Sequence, residues 1–349
     1  MDQRPDTPPG YYAPAPIPHV VHIRAKPGGL WSSLGFILGI MLFAGAFFVG
    51  LMFGVFGMIA ASSTEAMLVE QNYRSGSRDK IVILPVEGVI DSRQSEFVRA
   101  AVDSILNDKR VRAVVLRVDS PGGGVTASDQ IWYEIERLKQ NNLPVIASYG
   151  GIAASGGYYV SCAADVIIAE ETCITGSIGV IAQIFTLHGL MDKIGIEPVT
   201  LVASGSPEKA VANDLFREWN ENDQQKILTM IDKAYDIFNR RVRDGRSKVI
   251  TDPSQINRLA NGSIYTAQQA LDGGLIDGIG YLDDAIVRAE QLARLTPGRS
   301  QVVRIAAPPS LMSVLAGRER SAWRSPLDAD ALRGMVNDLG TPRLMYLMR

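Results

Sequence analysis

The octet Ile152-Ala153-Ala154-Ser155-Gly156-Gly157-Tyr158-Tyr159 sets a serine among small residues. Before it, Pro144-Val145-Ile146-Ala147-Ser148-Tyr149 reads as a buried strand closed by Gly150 and Gly151; after it, Tyr158 to Ala164 holds no helix breaker. A hydroxyl at a strand-to-helix junction lies near the positive end of the helix, beside backbone N–H groups that no intrahelical carbonyl accepts. A nucleophile and the oxyanion it creates need that environment. The same octet also fits a tight turn whose small residues let a strand meet a helix, and alone it leaves both readings open.

A serine nucleophile needs a base. The chain has three histidines. His19 and His22 precede a long apolar segment and fall across the bilayer from Ser155 if that segment spans a membrane. His188, in Leu187-His188-Gly189-Leu190 within a predicted helix, is adequately explained as a helix-surface imidazole. The shortage points to lysine, a known variant of the triad logic.

The elements that must position these groups alternate. Strands are predicted at 81–86, 111–118, 144–149, 165–169, 178–182 and 197–203, and helices at 92–107, 125–140, 156–163 and 186–194. Thr126 and Ser128 are candidate caps for the helix from Val125. Asp119-Ser120-Pro121-Gly122-Gly123-Gly124 reads as a turn, with Asp119 as a turn or packing residue, and residues 214–243 as one or two long helices. Apolar strands alternating with helices predict an α/β fold with a largely parallel sheet covered on both faces.

The formal net charge of −2 offers no polyanion-binding surface, so no nucleic acid partner is expected. No zinc-spaced Cys/His cluster or phosphate loop stands out, and no metal or cofactor is expected. Cys162 and Cys173 cannot make a disulfide framework; they read as small buried side chains, with their pairing open.

From Leu34 to Ala60 there is no charged residue, enough to cross a bilayer with some tilt. Trp31 sits at its start, Arg24 and Lys26 precede it, and Glu65 and Glu70 follow it, which favours a cytoplasmic N-terminus. Arg74, Arg78 and Lys80 weaken that asymmetry. A cleaved signal peptide is the rival, but the apolar core is too long and the preceding tail unusual. The expected organisation is a disordered cytoplasmic tail over 1–30, a transmembrane helix over 31–61, a juxtamembrane linker or short helix over 62–79, a catalytic domain over 80–294 and an extension over 295–349. Within that extension, apolar Leu344-Met345-Tyr346-Leu347-Met348 reads as a groove-docking segment or, preferably, an unstructured tail.

Four runs, in order over about residues 80 to 292, resemble the signal peptide peptidase A family of Ser/Lys membrane proteases, within the Clp protease/crotonase-like fold. They are Asp119 to Gly124, Ala153 to Tyr159, Thr175-Gly176-Ser177-Ile178-Gly179-Val180, and Asn261-Gly262-Ser263-Ile264-Tyr265-Thr266 continuing to Asp277. The resemblance implies Ser155 as nucleophile, Lys209 of Ser204-Gly205-Ser206-Pro207-Glu208-Lys209 as general base, and Ser177 as the serine that hydrogen-bonds the lysine amine. It also implies Gly156 and the Gly122/Gly123 turn as the oxyanion region. An exposed lysine, with a pKa of about 10.4, is protonated at neutral pH. Burial disfavours that charge and makes the amine a usable base. Taken without the resemblance, Lys209 reads as a solvated loop lysine beside Glu208. Lys193 is the alternative base, yet before Gly195 it fits a helix end.

This sequence departs from the family by one extra residue between Ser204-Gly205 and Lys209. The resemblance further implies peptide substrates, signal peptides or other hydrophobic segments, and the glycine-lined strands beside Ser155 point to an extended peptide that binds by adding itself to a sheet edge. It implies a ring-like homo-oligomer, in a single-pass bacterial membrane protein with an extracytoplasmic catalytic domain. Three rivals stand beside it: a peptidase for one membrane protein partner, a catalytically silent membrane scaffold of the same fold, and a crotonase-type acyl-CoA enzyme.

Overall fold

The computed structural model describes residues 68–210, 216–307 and 344–347, together with 47, 48 and 50. The expected tail over 1–30 lies outside the described residues, as does the expected span over 31–61 apart from those three positions. Among the described residues no helix is long and apolar enough to cross a membrane.

The main path of the sheet runs β1 (Val69–Arg74), β10 (Gln301–Ala306), β2 (Lys80–Ile90), β3 (Val111–Gly124), β4 (Val145–Ala154), β5 (Val166–Ala169) and β9 (Gly278–Ile279). Only β1 is antiparallel to its neighbour on this path; the rest pair in parallel. Short strands β6 (Ile174–Gly176), β7 (Ile181–Ala182), β8 (Ile264–Thr266) and β11 (Leu344–Leu347) attach beside it. The result is a mixed α/β fold with helices on both faces of the sheet.

Alternation along the strands explains the layers, because successive side chains point to opposite faces. Val82, Leu84 and Val86 of β2 and Val114, Leu116 and Val118 of β3 face one core. That core is closed by helices α1 (Ser92–Asn107) and α2 (Val125–Gln140). Ile81, Ile83, Ala113 and Val115 face the other, beneath Ala285, Ile286 and Ala289 of helix α8 (Leu282–Leu292). Between these lie α3 (Gly156–Ser161), α4 (His188–Ile194), a 3-10 turn (Pro207–Ala210), α5 (Glu221–Arg246), α6 (Pro253–Leu259) and α7 (Ala267–Asp272).

The expected helix at 92–107 is found with those bounds, capped by Asp91, whose side chain accepts from the Gln94 N–H. For α2 the cap is Gly124; Thr126 and Ser128 lie inside the helix. The run 197–203 is not a strand. Among the described residues it has no strand to pair with, and Val199 and Leu201 stand 78% and 91% exposed. A strand is a property of two segments, so apolar composition cannot make one alone. The sheet also takes in β1 and β10, from segments the sequence assigns to the linker and the extension.

Lys80, buried at the start of β2, donates to Glu70 at 2.8 Å and to Asp108 at 2.7 Å. The Arg110 guanidinium and the Lys80 ammonium hold the Asp108 carboxyl well below the usual carboxylate range. That end of the sheet is thereby pinned.

Cys162 and Cys173 are free and buried, and burial pushes both thiols up to about 12. Neither is a nucleophile near neutral pH. Both should resist a disulfide probe at pH 8 in the native protein and react once it is unfolded in denaturant. An unfolded thiol ionises near about 8.5, so above that pH the folded state holds more protons than the unfolded one. Their contribution to stability should be intact below that pH and fall progressively toward pH 12, read as a declining urea midpoint.

Candidate active site

Ser155 is the single residue between β4 and α3, with φ 52° and ψ −113°. Such a backbone costs a non-glycine residue about 1–3 kcal/mol and persists only where the surroundings hold it. They do. The Ser155 N–H donates to the Gly176 carbonyl at 2.8 Å, and the Ser155 carbonyl accepts from the Tyr159 N–H at 2.8 Å.

The rest of the octet fixes α3 in place. A Cβ at Gly157 would sit 2.9 Å from the Ser120 carbonyl oxygen, and one at Gly156 would sit 2.6 Å from Ser128 Oγ. Only glycines let this helix press onto β3 and α2. Tyr158 donates its hydroxyl to the Leu275 carbonyl at 2.9 Å, and Tyr159 donates to Asp129 Oδ1 at 2.6 Å. At the other end of α3, a Cβ at Gly245 of α5 would meet the Cys162 carbonyl oxygen at 2.3 Å.

Ser155 Oγ is wholly buried and, among the described residues, has no hydrogen-bond partner. Leaving a buried hydroxyl unsatisfied costs about 1–3 kcal/mol, and such exceptions call for a functional account. A strained backbone and an orphaned buried hydroxyl thus coincide at the start of α3.

The Asp119 to Gly124 run is the end of β3 rather than a turn leaving it. Gly122 has φ 106°, and a Cβ at Gly123 would lie 2.1 Å from the Ile90 carbonyl oxygen of β2. The Gly122 N–H donates to Ser120 Oγ at 3.1 Å. Ser120 is thus a site residue that sequence reasoning passed over, although it stands inside the motif. Asp119 accepts from the Ile152 N–H at 3.2 Å, strapping β3 to β4 just before the elbow. The Gly156 N–H belongs to the first helical turn, where no intrahelical carbonyl can take it.

Ser177 reaches the same rim, because Ala154 pairs with Gly176. Its φ is 50°, and its N–H donates to the Ser263 carbonyl at 2.7 Å. It also lines a cavity of 520 Å³ bounded by Asp232 and Tyr235 of α5 and by Asn261 and Gly262.

Among the described residues, Lys209 makes no hydrogen bond to Ser155. It stands exposed in the 3-10 turn, its N–H donating to the Ser206 carbonyl at 3.0 Å, while Ser155 Oγ bonds to nothing. His188 Nε2 lies 3.5 Å from Asp192 one helical turn on, half-exposed, as a surface imidazole would. Lys193 occupies the last turn of α4 before the left-handed Gly195 cap. Among the described residues no group of His, Cys, Asp or Glu could hold a metal ion.

The family model for peptidase family S49 matches residues 137–296. The chain is 35% identical over 241 residues to signal peptide peptidase SppA of Enterococcus faecium, covering 66% of this chain and 68% of that protein. It is 37% identical over 222 residues to Protease 4 of Haemophilus influenzae, covering 61% of this chain. Against the chloroplastic serine protease SPPA of Arabidopsis thaliana it is 33% identical over 279 residues, covering 76% of this chain. The chain belongs to peptidase family S49, the signal peptide peptidase A family. It spans 35% of the Haemophilus protein's length and 40% of the Arabidopsis protein's. The S49 match takes in Ser155, Ser177 and Lys209, while Gly122 and Gly123 precede it.

Proposed function

We propose that this S49 member is a membrane-anchored serine endopeptidase of the Clp protease/crotonase-like fold, with Ser155 as nucleophile and Lys209 as base. Its substrates are signal peptides or other hydrophobic peptide segments. The observation that carries this reading is Ser155 itself, strained, buried and unpartnered at the N-terminus of α3. The neutral Lys209 amine takes the Ser155 proton as Oγ attacks the scissile carbonyl, and the resulting ammonium protonates the departing amine. The Lys209 amine then deprotonates water, which attacks the acyl ester, and the ammonium returns the proton to Ser155 Oγ as the acid product leaves. The Gly156 N–H and the Gly122/Gly123 strand end stabilise the oxyanion, with Ser120 releasing or sharing the Gly122 N–H.

A neutral lysine needs burial, and Lys209 is exposed in one chain. Assembly supplies it in this reading. Phe185, Leu190, Ile194, Ile196, Val199 and Leu201 are exposed apolar residues ahead of Lys209, and a neighbouring copy in a homo-oligomer covers them and desolvates the amine. The apolar Leu34 to Ala60 run anchors the protein in the cell membrane of a bacterium, with the N-terminus cytoplasmic and the catalytic domain outside the cytoplasm.

The open Lys209–Ser155 contact favours one rival, a catalytically silent scaffold. A fluorophosphonate probe separates the two. Labelling of the assembled wild-type protein that disappears in Ser155→Ala is the expected result; an unlabelled wild type, with no peptide hydrolysis, leaves the scaffold.

A further inference from the structure

Two serine hydroxyls are buried without a hydrogen-bond partner among the described residues, those of Ser128 and Ser155. Both residues are wholly shielded from solvent, and both stand beside Gly156. Ser155 precedes that glycine in the chain; Ser128, on α2, reaches it through space. A buried serine inside a helix has a ready acceptor in the carbonyl four residues back. Ser161 donates to the Gly157 carbonyl in this way at 2.8 Å, and Thr229 of α5 donates to the Gln225 carbonyl at 2.8 Å. Ser128 makes no such bond to Gly124. Its Oγ lies instead 2.6 Å from the point a Cβ on Gly156 would occupy, and the Gly123 nitrogen lies 3.1 Å from that same point. The hydroxyl is therefore turned away from its own helix, into the seam between the start of α3 and the end of β3.

Gly156 and the Gly122/Gly123 strand end are the groups that stabilise the oxyanion in the proposed mechanism. Ser128 lies behind both. Alanine would fill its place with one atom fewer and no polar group left to satisfy, so a hydroxyl here weakens the fold unless it meets an acceptor. The acceptor that the reaction brings to this seam is the oxygen of the tetrahedral intermediate. We propose that Ser128 is a further oxyanion donor, its O–H bonding that oxygen beside the backbone N–H groups of the glycines. No proton is transferred. The hydrogen bond strengthens as negative charge develops on the oxygen and weakens when the carbonyl re-forms. The inference rests on the reading of Ser155 as a peptidase nucleophile. It also gives position 156 a second reason to be glycine, since a side chain there would displace the Ser128 hydroxyl.

Ser128→Ala in the full-length protein removes this one oxygen atom. For an apolar peptide substrate, kcat should fall about 10²-fold with KM unchanged, because the lost bond forms only in the transition state. A peptide boronate, which forms a tetrahedral adduct on a serine, should bind the variant about 10²-fold more weakly. The matching peptide amide, whose carbonyl stays trigonal, should bind both proteins equally. The urea midpoint of the variant should be no lower than that of the wild type, as an unsatisfied hydroxyl has gone. Equal kcat and equal boronate affinity in the two proteins would overturn the proposal. So would a lowered midpoint with kcat, KM and amide binding all impaired, which would make Ser128 a packing residue. A wild type that neither hydrolyses peptide nor binds the boronate would instead remove the peptidase reading, and this donor with it.

Discussion

Replacing Ser155 by glycine should make the protein more stable while ending its peptidase activity. The backbone at 155 lies where a side chain costs about 1–3 kcal/mol and glycine costs little. The lost hydroxyl is buried and unpartnered, so its removal leaves no acceptor or donor stranded. Against this stands the larger unfolded-state entropy of glycine, about 0.5–1 kcal/mol. The balance predicts a gain of about 1 kcal/mol, or about 2–4 °C in Tm for a domain of this size. Ser155→Ala sheds the orphaned hydroxyl but keeps the strain, so it should fall between wild type and Ser155→Gly. Both variants should lose about 10⁴- to 10⁶-fold in kcat, as removal of a nucleophile does elsewhere. Thermal unfolding and peptide hydrolysis on the three proteins test the ordering. Two variants no more stable than wild type would mean that Ser155 carries no stored strain.

Lys209 should show the opposite signature. It is exposed and outside the packed core, so Lys209→Ala should change the unfolding free energy by less than about 0.5 kcal/mol. Its loss as general base should nevertheless cost about 10²- to 10⁴-fold in kcat. Lys209→Arg should be as inactive as the alanine variant, because a guanidinium stays protonated and cannot accept the Ser155 proton. Full activity in Lys209→Ala would remove the lysine from the mechanism while leaving the nucleophile untouched.

The Ser155 half of the candidate site was legible because its constraints are local. Gly156 and Gly157 are needed where a helix meets a strand, and Tyr158 and Tyr159 anchor that helix, so the motif records its own packing. Apolar runs in β2, β3 and β4 and the bounds of α1 were equally plain, since periodicity and a cap define them. The losses have a common origin in pairing. Residues 197–203 have strand composition but no partner, whereas Leu344–Leu347 has a partner and too few residues to show a period. The role of Ser120 depends on which carbonyls and N–H groups the elbow leaves over, and no single segment encodes that.

The pinned ends of β2 decide where this chain can change length. At one end Lys80 is gripped by Glu70 and Asp108; at the other the Ile90 carbonyl abuts Gly123 with no room for a methyl group. A residue inserted between them would turn every later side chain to the wrong face. The extra residue that the family resemblance assigns between Gly205 and Lys209 falls instead beside exposed Ser206 and Pro207, where the Ser206 N–H donates to the nearby Ala203 carbonyl. It can be absorbed there without moving a strand. The fold thus has room for an insertion ahead of Lys209 and none along β2 beside the Ser155 elbow.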